Sequence, residues 1–140
     1  MLRGVADVNV FVSAALVPRG PSGQLLTAAL DSRWQLVVST HLLDEVRTVF
    51  GYERIRRRRP VEETNVFVAD LGAIAELAPD APPPWPAVTR DPKDDYLVAL
   101  AQSAGVDALI SGDVHLTELT NLAPPVVRPA DFLAMVRAGR

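Results

Sequence analysis

Four short, mostly apolar runs punctuate the chain: Leu2–Asp7, Leu36–Val38, Ala108–Ser111 and Val126–Val127. They limit the fold more than any other feature. A strand exposed on one face alternates apolar and polar residues, whereas a continuous apolar run belongs to a strand buried on both faces. The segments between them carry helical signals. Leu42, Leu43, Val46, Val49 and Phe50 share one face at a 3.6-residue period, behind a cap at Ser39-Thr40. Val10–Leu16 enters a helix, Ser22 caps another over Gly23–Asp31, and Pro60 starts one that runs to Leu77. Asp91-Pro92 opens a helix that ends near Gly105, and Asp131 caps a last one to Ala138. Strands that alternate with helices predict an α/β fold, a parallel sheet covered by helices on both faces.

At 140 residues, 49% hydrophobic and 22% charged, the chain has the size and composition of one domain spanning 1–140. Five of the eight residues from Pro79 to Pro86 are proline, so that segment is an extended loop and not a domain boundary. There is no cysteine, which excludes disulfides, thiolate zinc sites and cysteine nucleophiles. No stretch reaches the roughly 20 apolar residues of a membrane span, and Asp7 comes too early for a signal peptide. A cytoplasmic protein with no membrane association is expected. The net charge is −3, yet five of the 14 basic residues, Arg54 and Arg56 to Arg59, fall within six positions. A basic patch and an acidic hole in one molecule can hold phosphates and metal in different places.

The acids carry the chemistry. Parallel sheets place their functional groups beyond the carboxyl ends of their strands. Asp7 closes the first strand and Asp113 follows the third, in Ile110-Ser111-Gly112-Asp113. Either alone reads equally as a turn-forming aspartate, although an acid that ends a buried strand needs a partner. On the helix after Ser39, Asp44 falls opposite the apolar face, while Glu45 lies at its border, from which a side chain can lean into a cleft. Asp91 caps the helix that Pro92 opens, leaving Asp94 and Asp95 to explain. Helix geometry turns Asp94 toward the core side and Asp95 away. Converged at one sheet edge, Asp7, Glu45, Asp94 or Asp95, and Asp113 would repel one another until a divalent cation offset them. Hard oxygen donors select Mg2+ or Mn2+ over zinc.

Taken together these segments resemble the PIN-domain family, in particular VapC-like toxin ribonucleases. Asp7-Val8-Asn9-Val10-Phe11-Val12-Ser13-Ala14 is similar to the family's D-T-N-V-L-V-S-A opening. Ser39 to Glu45, Asp91-Pro92-Lys93-Asp94-Asp95 and Ser111-Gly112-Asp113 are similar to its later motifs, in order and spacing. The resemblance implies a three-layer α/β/α sandwich on a parallel sheet of four to five strands. It implies an Mg2+- or Mn2+-dependent endoribonuclease with Asp7, Glu45, Asp94 and Asp113 as metal-binding acids, and Asn9 and Ser111 as supporting polar residues. Counted back from Asp113, the same resemblance favours Asp95, and both are kept. It further implies an RNA substrate, a small antitoxin partner and a homodimer. Val8 departs from the family's usual threonine or serine, and His115 stands where many members carry another aspartate.

Hydrolases with an aspartate nucleophile need a second acid two residues on, where this chain has Asn9. A receiver-like phosphoacceptor wants a late lysine, and Lys93 is the only lysine. A silent PIN fold that binds RNA or protein is the remaining alternative, and metal dependence separates it from the enzyme. Arg54, Arg56, Arg57, Arg58 and Arg59 either contact RNA phosphates or form a solvated charged linker.

Overall fold

The computed structural model describes residues 1–139. Five strands form one parallel sheet: β1 (Arg3–Ala6), β2 (Gln35–Val38), β3 (Glu76–Leu77), β4 (Ala108–Ile110) and β5 (Val126–Val127). Their order is β3-β2-β1-β4-β5, with every neighbouring pair parallel. The described residues also form eight helices: α1 (Val8–Leu16), α2 (Pro21–Leu30), α3 (Thr40–Phe50), α4 (Glu53–Arg56), α5 (Val61–Ile74), α6 (Pro92–Ala104), α7 (Val114–Thr117) and, after the last strand, α8 (Pro129–Ala138). Helix α6 packs on β1 and β4, while α1, α2, α3, α5 and α8 pack against one another. This is the α/β/α arrangement around a parallel sheet that the apolar runs predicted.

The central strands are short and almost wholly buried, as their continuous apolar composition requires. Val5, Ala6, Leu36, Val37, Val38, Ala108, Leu109 and Ile110 are all core residues. Gly4 permits the tightest part of that core: a Cβ there would stand 2.8 Å from Ile110 Cδ1 and 3.3 Å from the Trp34 ring. Trp34 packs edge-on against Phe132 of α8 and donates its indole N–H to the Leu25 carbonyl at 2.8 Å. Each such buried aromatic contributes about 1.5–3 kcal/mol of transfer free energy.

Several boundaries differ from expectation. The second helix begins at Pro21 behind an N-cap at Gly20, so Ser22 is a buried helical residue rather than the cap. Likewise Arg128 occupies the N-cap of α8, with Pro129 next and Asp131 in the first turn. In both cases proline at the first helical position outranks the hydroxyl or carboxylate that follows it, since its fixed φ already suits a helix start. The helix from Pro60 stops at Ile74, and Glu76–Leu77 leaves it to pair with Val37–Val38. Both β3 residues are exposed, so no apolar run marked this edge strand. The Arg run contains the short helix α4, and Asp113 caps the short α7, neither of which was anticipated. Among the described residues no helix is long and apolar enough to cross a membrane.

Candidate active site

From β1 the chain winds outward through β2 to β3, then returns to the other side of β1 for β4 and β5. The winding therefore reverses between β1 and β4, and the carboxyl ends of those two strands flank the switch point where such sheets bind ligands. The register pairs Ala6 with Ile110, which brings Asp7 and Ser111 side by side, and the Asp7 N–H donates to the Ile110 carbonyl at 3.0 Å.

Asp7 is 5% exposed and Ser111 is fully buried. The Ser111 hydroxyl donates to Asp7 Oδ2 and accepts from the Asp113 N–H at 3.0 Å, so one side chain holds both acids in place. The other carboxylate oxygen of Asp7, Oδ1, caps α1 by accepting from the Val10 N–H at 3.1 Å. Burial raises the Asp7 pKa; the hydrogen bonds from Ser111 and the backbone oppose that rise, and the charge of Asp113 adds to it. Asp113 in turn caps α7 through the N–H of His115, an exposed residue.

Asp94 completes the group from the first turn of α6. Its pKa is pushed up to about 6, first by burial and then by Asp91, Asp113, Asp7 and Asp95, whose charges all share one sign. Helix geometry had turned Asp94 toward the core; it is half-buried and near enough to feel the charges of Asp7 and Asp113. Asp95, however, is not turned away. It is 7% exposed, and its Oδ1 accepts from the N–H groups of Val88 and Thr89 at 3.0 and 2.7 Å. The reason lies in the segment just before α6, whose Val88 and Thr89 N–H groups turn to this carboxylate. Asp91 caps α6 as expected, accepting from the Lys93 N–H at 3.0 Å. Asn9 is exposed on the first turn of α1, beside Asp113 in a shallow groove.

Glu45 follows a different course. Its Oε1 pairs with Nε2 of His41, one helical turn earlier, at 2.8 Å. The His41 ring lies against Tyr96, with centroids 4.4 Å apart. Tyr96 donates its hydroxyl to Asp80 and shares a further hydrogen bond with Ser39, while the His41 N–H donates to Asp80 Oδ2 at 3.2 Å. Burial would raise the Asp80 pKa, but the donors Ser39, Tyr96 and His41 outweigh it and leave the carboxylate below its ordinary range. Burial and the bond to Asp80 push the Tyr96 hydroxyl up. This second polar cluster, at the ends of β2 and β3, was missed. Asp80 sits among prolines with no periodic pattern, and its partners are 16 and 39–41 residues away.

The five acids proposed from the sequence thus do not form one cage. Asp7, Asp94 and Asp113 act on one another, Asp95 holds a loop, and Glu45 belongs to the neighbouring cluster. Among the described residues no three His, Cys, Asp or Glu side chains are arranged as a ready-made metal site. An all-carboxylate donor set with uncompensated charge still suits magnesium, which keeps several waters and takes one or two carboxylates rather than a full protein cage. It does not suit zinc, whose structural sites draw on nitrogen and sulfur.

The basic segment is partly neutralised. Arg57 pairs with Glu53 at 2.9 Å, Arg59 with Glu63 at 3.3 Å, and Arg59 also donates to the Ala15 carbonyl at 2.8 Å. Arg54 lies over the Tyr52 ring, and Arg56 and Arg58 are exposed.

The fold is that of a parallel α/β protein with aspartates at the switch point of its sheet. Within that class the chain belongs to the PIN domain family, whose model matches residues 3–115. PIN domains are generally nucleases that use divalent metals. The chain also resembles the crystal structure of PAE2754 from Pyrobaculum aerophilum, with a TM-score of 0.69 and 14% identity over 99% of this chain and 91% of that one. That likeness is one of fold. No curated protein matches the chain.

Proposed function

We propose that this protein is a divalent-metal-dependent endoribonuclease whose working acids are Asp7, Asp94 and Asp113. The observation that supports the reading is the place of Asp7 and Asp113 at the carboxyl ends of β1 and β4, joined through Ser111, with Asp94 near enough to feel both charges. Keeping like charges close costs free energy, and proteins retain that cost at functional sites. Asp7, Asp94 and Asp113 would hold Mg2+ or Mn2+. Such an ion, once bound, neutralises the phosphodiester and lowers the pKa of water toward the neutral range.

The chain's own residues do the rest. Ser111 fixes the spacing of Asp7 and Asp113 by bonding to both. Helix α6 carries Asp94 to them, and Asp95 anchors the loop that precedes this helix. Glu45, held by His41, stands at the same sheet edge as an accessory acid. The family resemblance supports an RNA substrate and the role of toxin beside a small antitoxin, with a homodimer as the assembly.

The test is cleavage of a labelled single-stranded RNA in Mg2+, Mn2+ or EDTA by wild type and Asp7→Asn. Metal-dependent cutting that the substitution abolishes supports the enzyme. Wild type that cuts no RNA in either metal would leave a silent PIN fold that binds RNA or protein.

A further inference from the structure

Two hollows beside the carboxylates share Ser13, Ser22, Gly112 and Pro129 in their walls, so they form one groove. At one end lie Asn9 and Asp113; at the other lie Gly20, Pro21 and Arg128. The far end is built differently from the acidic one. Helix α2 starts there, ten residues long, with no side chain capping its first turn. The N–H groups of Ser22 and Gly23 are therefore among the orphan donors of a helix N-terminus, where the helix dipole favours an anion.

Ser22 supplies the independent sign of a ligand. It is 8% exposed, and its hydroxyl makes no hydrogen bond among the described residues. No sealed side-chain polar atom among them lacks a partner, so this hydroxyl opens on the groove it lines. The hydroxyl is thus a donor that no protein group uses, free to meet whatever fills the groove. Across from it, the exposed Arg128 carries a guanidinium with no side-chain partner among the described residues. A hydroxyl, free backbone N–H groups and an arginine are all donors, and together they match a phosphate.

We infer that the Ser22–Arg128 end of this groove is a phosphate subsite, which holds a backbone phosphodiester of the single strand next to the one at Asp113. The inference rests on the nuclease reading for its substrate, but it concerns binding and not the chemical step. Asp113 repels phosphate at its own end unless a cation is bound, whereas the Ser22 end attracts it without one. Ser22 and Arg128 are positioning residues, since neither lies among the reacting acids.

The experiment is fluorescence anisotropy of a labelled hexaribonucleotide with full-length Asp7→Asn in EDTA, across a series of salt concentrations. Arg128→Gln and Ser22→Ala are each added to that background, with Arg33→Gln, at the opposite end of α2, as the charge control. Each phosphate contact to a single strand contributes roughly 0.7 to the slope of log K against log salt. Arg128→Gln should therefore flatten the slope by about 0.7, Ser22→Ala should weaken binding several-fold at nearly unchanged slope, and Arg33→Gln should do neither. Arg128→Lys should restore most of the slope. In the active background the same two substitutions should raise KM with kcat little changed. Unchanged affinity and slope in both variants, or no binding by the parent, overturns the subsite. Cleavage that persists with an unmoved KM overturns it too and leaves the nuclease reading standing. Salt-sensitive binding that both substitutions weaken, with no cleavage by wild type in either metal, supports the subsite and sinks the nuclease.

Discussion

Two clusters of acids lie at the same edge of one sheet and behave in opposite ways. At the ends of β2 and β3, Asp80 is surrounded by donors from Ser39, Tyr96 and His41, and its proton affinity falls. At the ends of β1 and β4, Asp94 is surrounded by other carboxylates, and its pKa rises to about 6. Burial acts upward on both. What differs is the sign of the neighbours. The first cluster is a satisfied network that pins the proline-rich loop to α3 and α6. The second is electrostatically unfinished, which in a folded protein is a stronger sign of function than the presence of acids alone. Charge type and position along a strand do not separate structural from functional aspartates; the partners do.

The contrast can be broken most severely at Asp7. Asp7→Asn should cut RNA cleavage by about 10²–10⁴-fold, the range for loss of a group that acts on the reacting atoms, with the fold kept as judged by circular dichroism. Cleavage within a few-fold of wild type would move the chemistry elsewhere. Ser111→Ala should cost about 10–100-fold in activity or in Mg2+ affinity, as partners that orient metal ligands usually do. Measuring Mg2+ titration curves for this variant checks it, because a purely structural loss would lower stability without shifting the curve.

In the other cluster the expected effect is on stability. Tyr96→Phe removes the hydroxyl that joins Ser39 and Asp80, which should cost about 1–3 kcal/mol in urea unfolding while leaving kcat within a few-fold. A large loss of kcat at unchanged stability would mean that the two clusters work as one.

The smallest effects, and the ones that sharpen the contrast most, are in pH. The folded-state pKa of Asp94 lies above its ordinary value of 3.8. The stability it confers is therefore present below about pH 4 and lost as pH rises through about 6. Asp80 has the reverse sign: its stability is present above its ordinary value of 3.8 and lost as pH falls below it. Unfolding in EDTA from pH 3 to 8 should show both limbs. Asp94→Asn should flatten the upper limb and Asp80→Asn the lower. Millimolar Mg2+ should flatten the upper limb in wild type, since an ion that binds only the folded state stabilises it. An upper limb that persists in Asp94→Asn would assign the repulsion to another group.

Much of this was legible in the residues. Continuous apolar runs announced buried parallel strands, Pro92 and Asp91 marked the start of α6, and Asp7 and Asp113 stood where the strands end. Short elements escaped because they carry little pattern. Leu77 and Glu76 form β3 through backbone pairing with β2 while both side chains stay exposed. The caps at Ser22 and Asp131 were misplaced by two or three residues because proline set the start of each helix.

The sequence by itself determined the layer architecture and the order of the strands' acids, because hydrophobic period and helix-start chemistry act over a few residues. Only the tertiary structure decided what each acid does. Asp94 and Asp95 are adjacent on one helix, yet one joins Asp7 and Asp113 while the other closes on the Val88–Thr89 backbone. That choice depends on groups brought together across the fold, Asp7 with Ser111 and Asp80 with His41, and electrostatic environment is set by distance in space rather than along the chain.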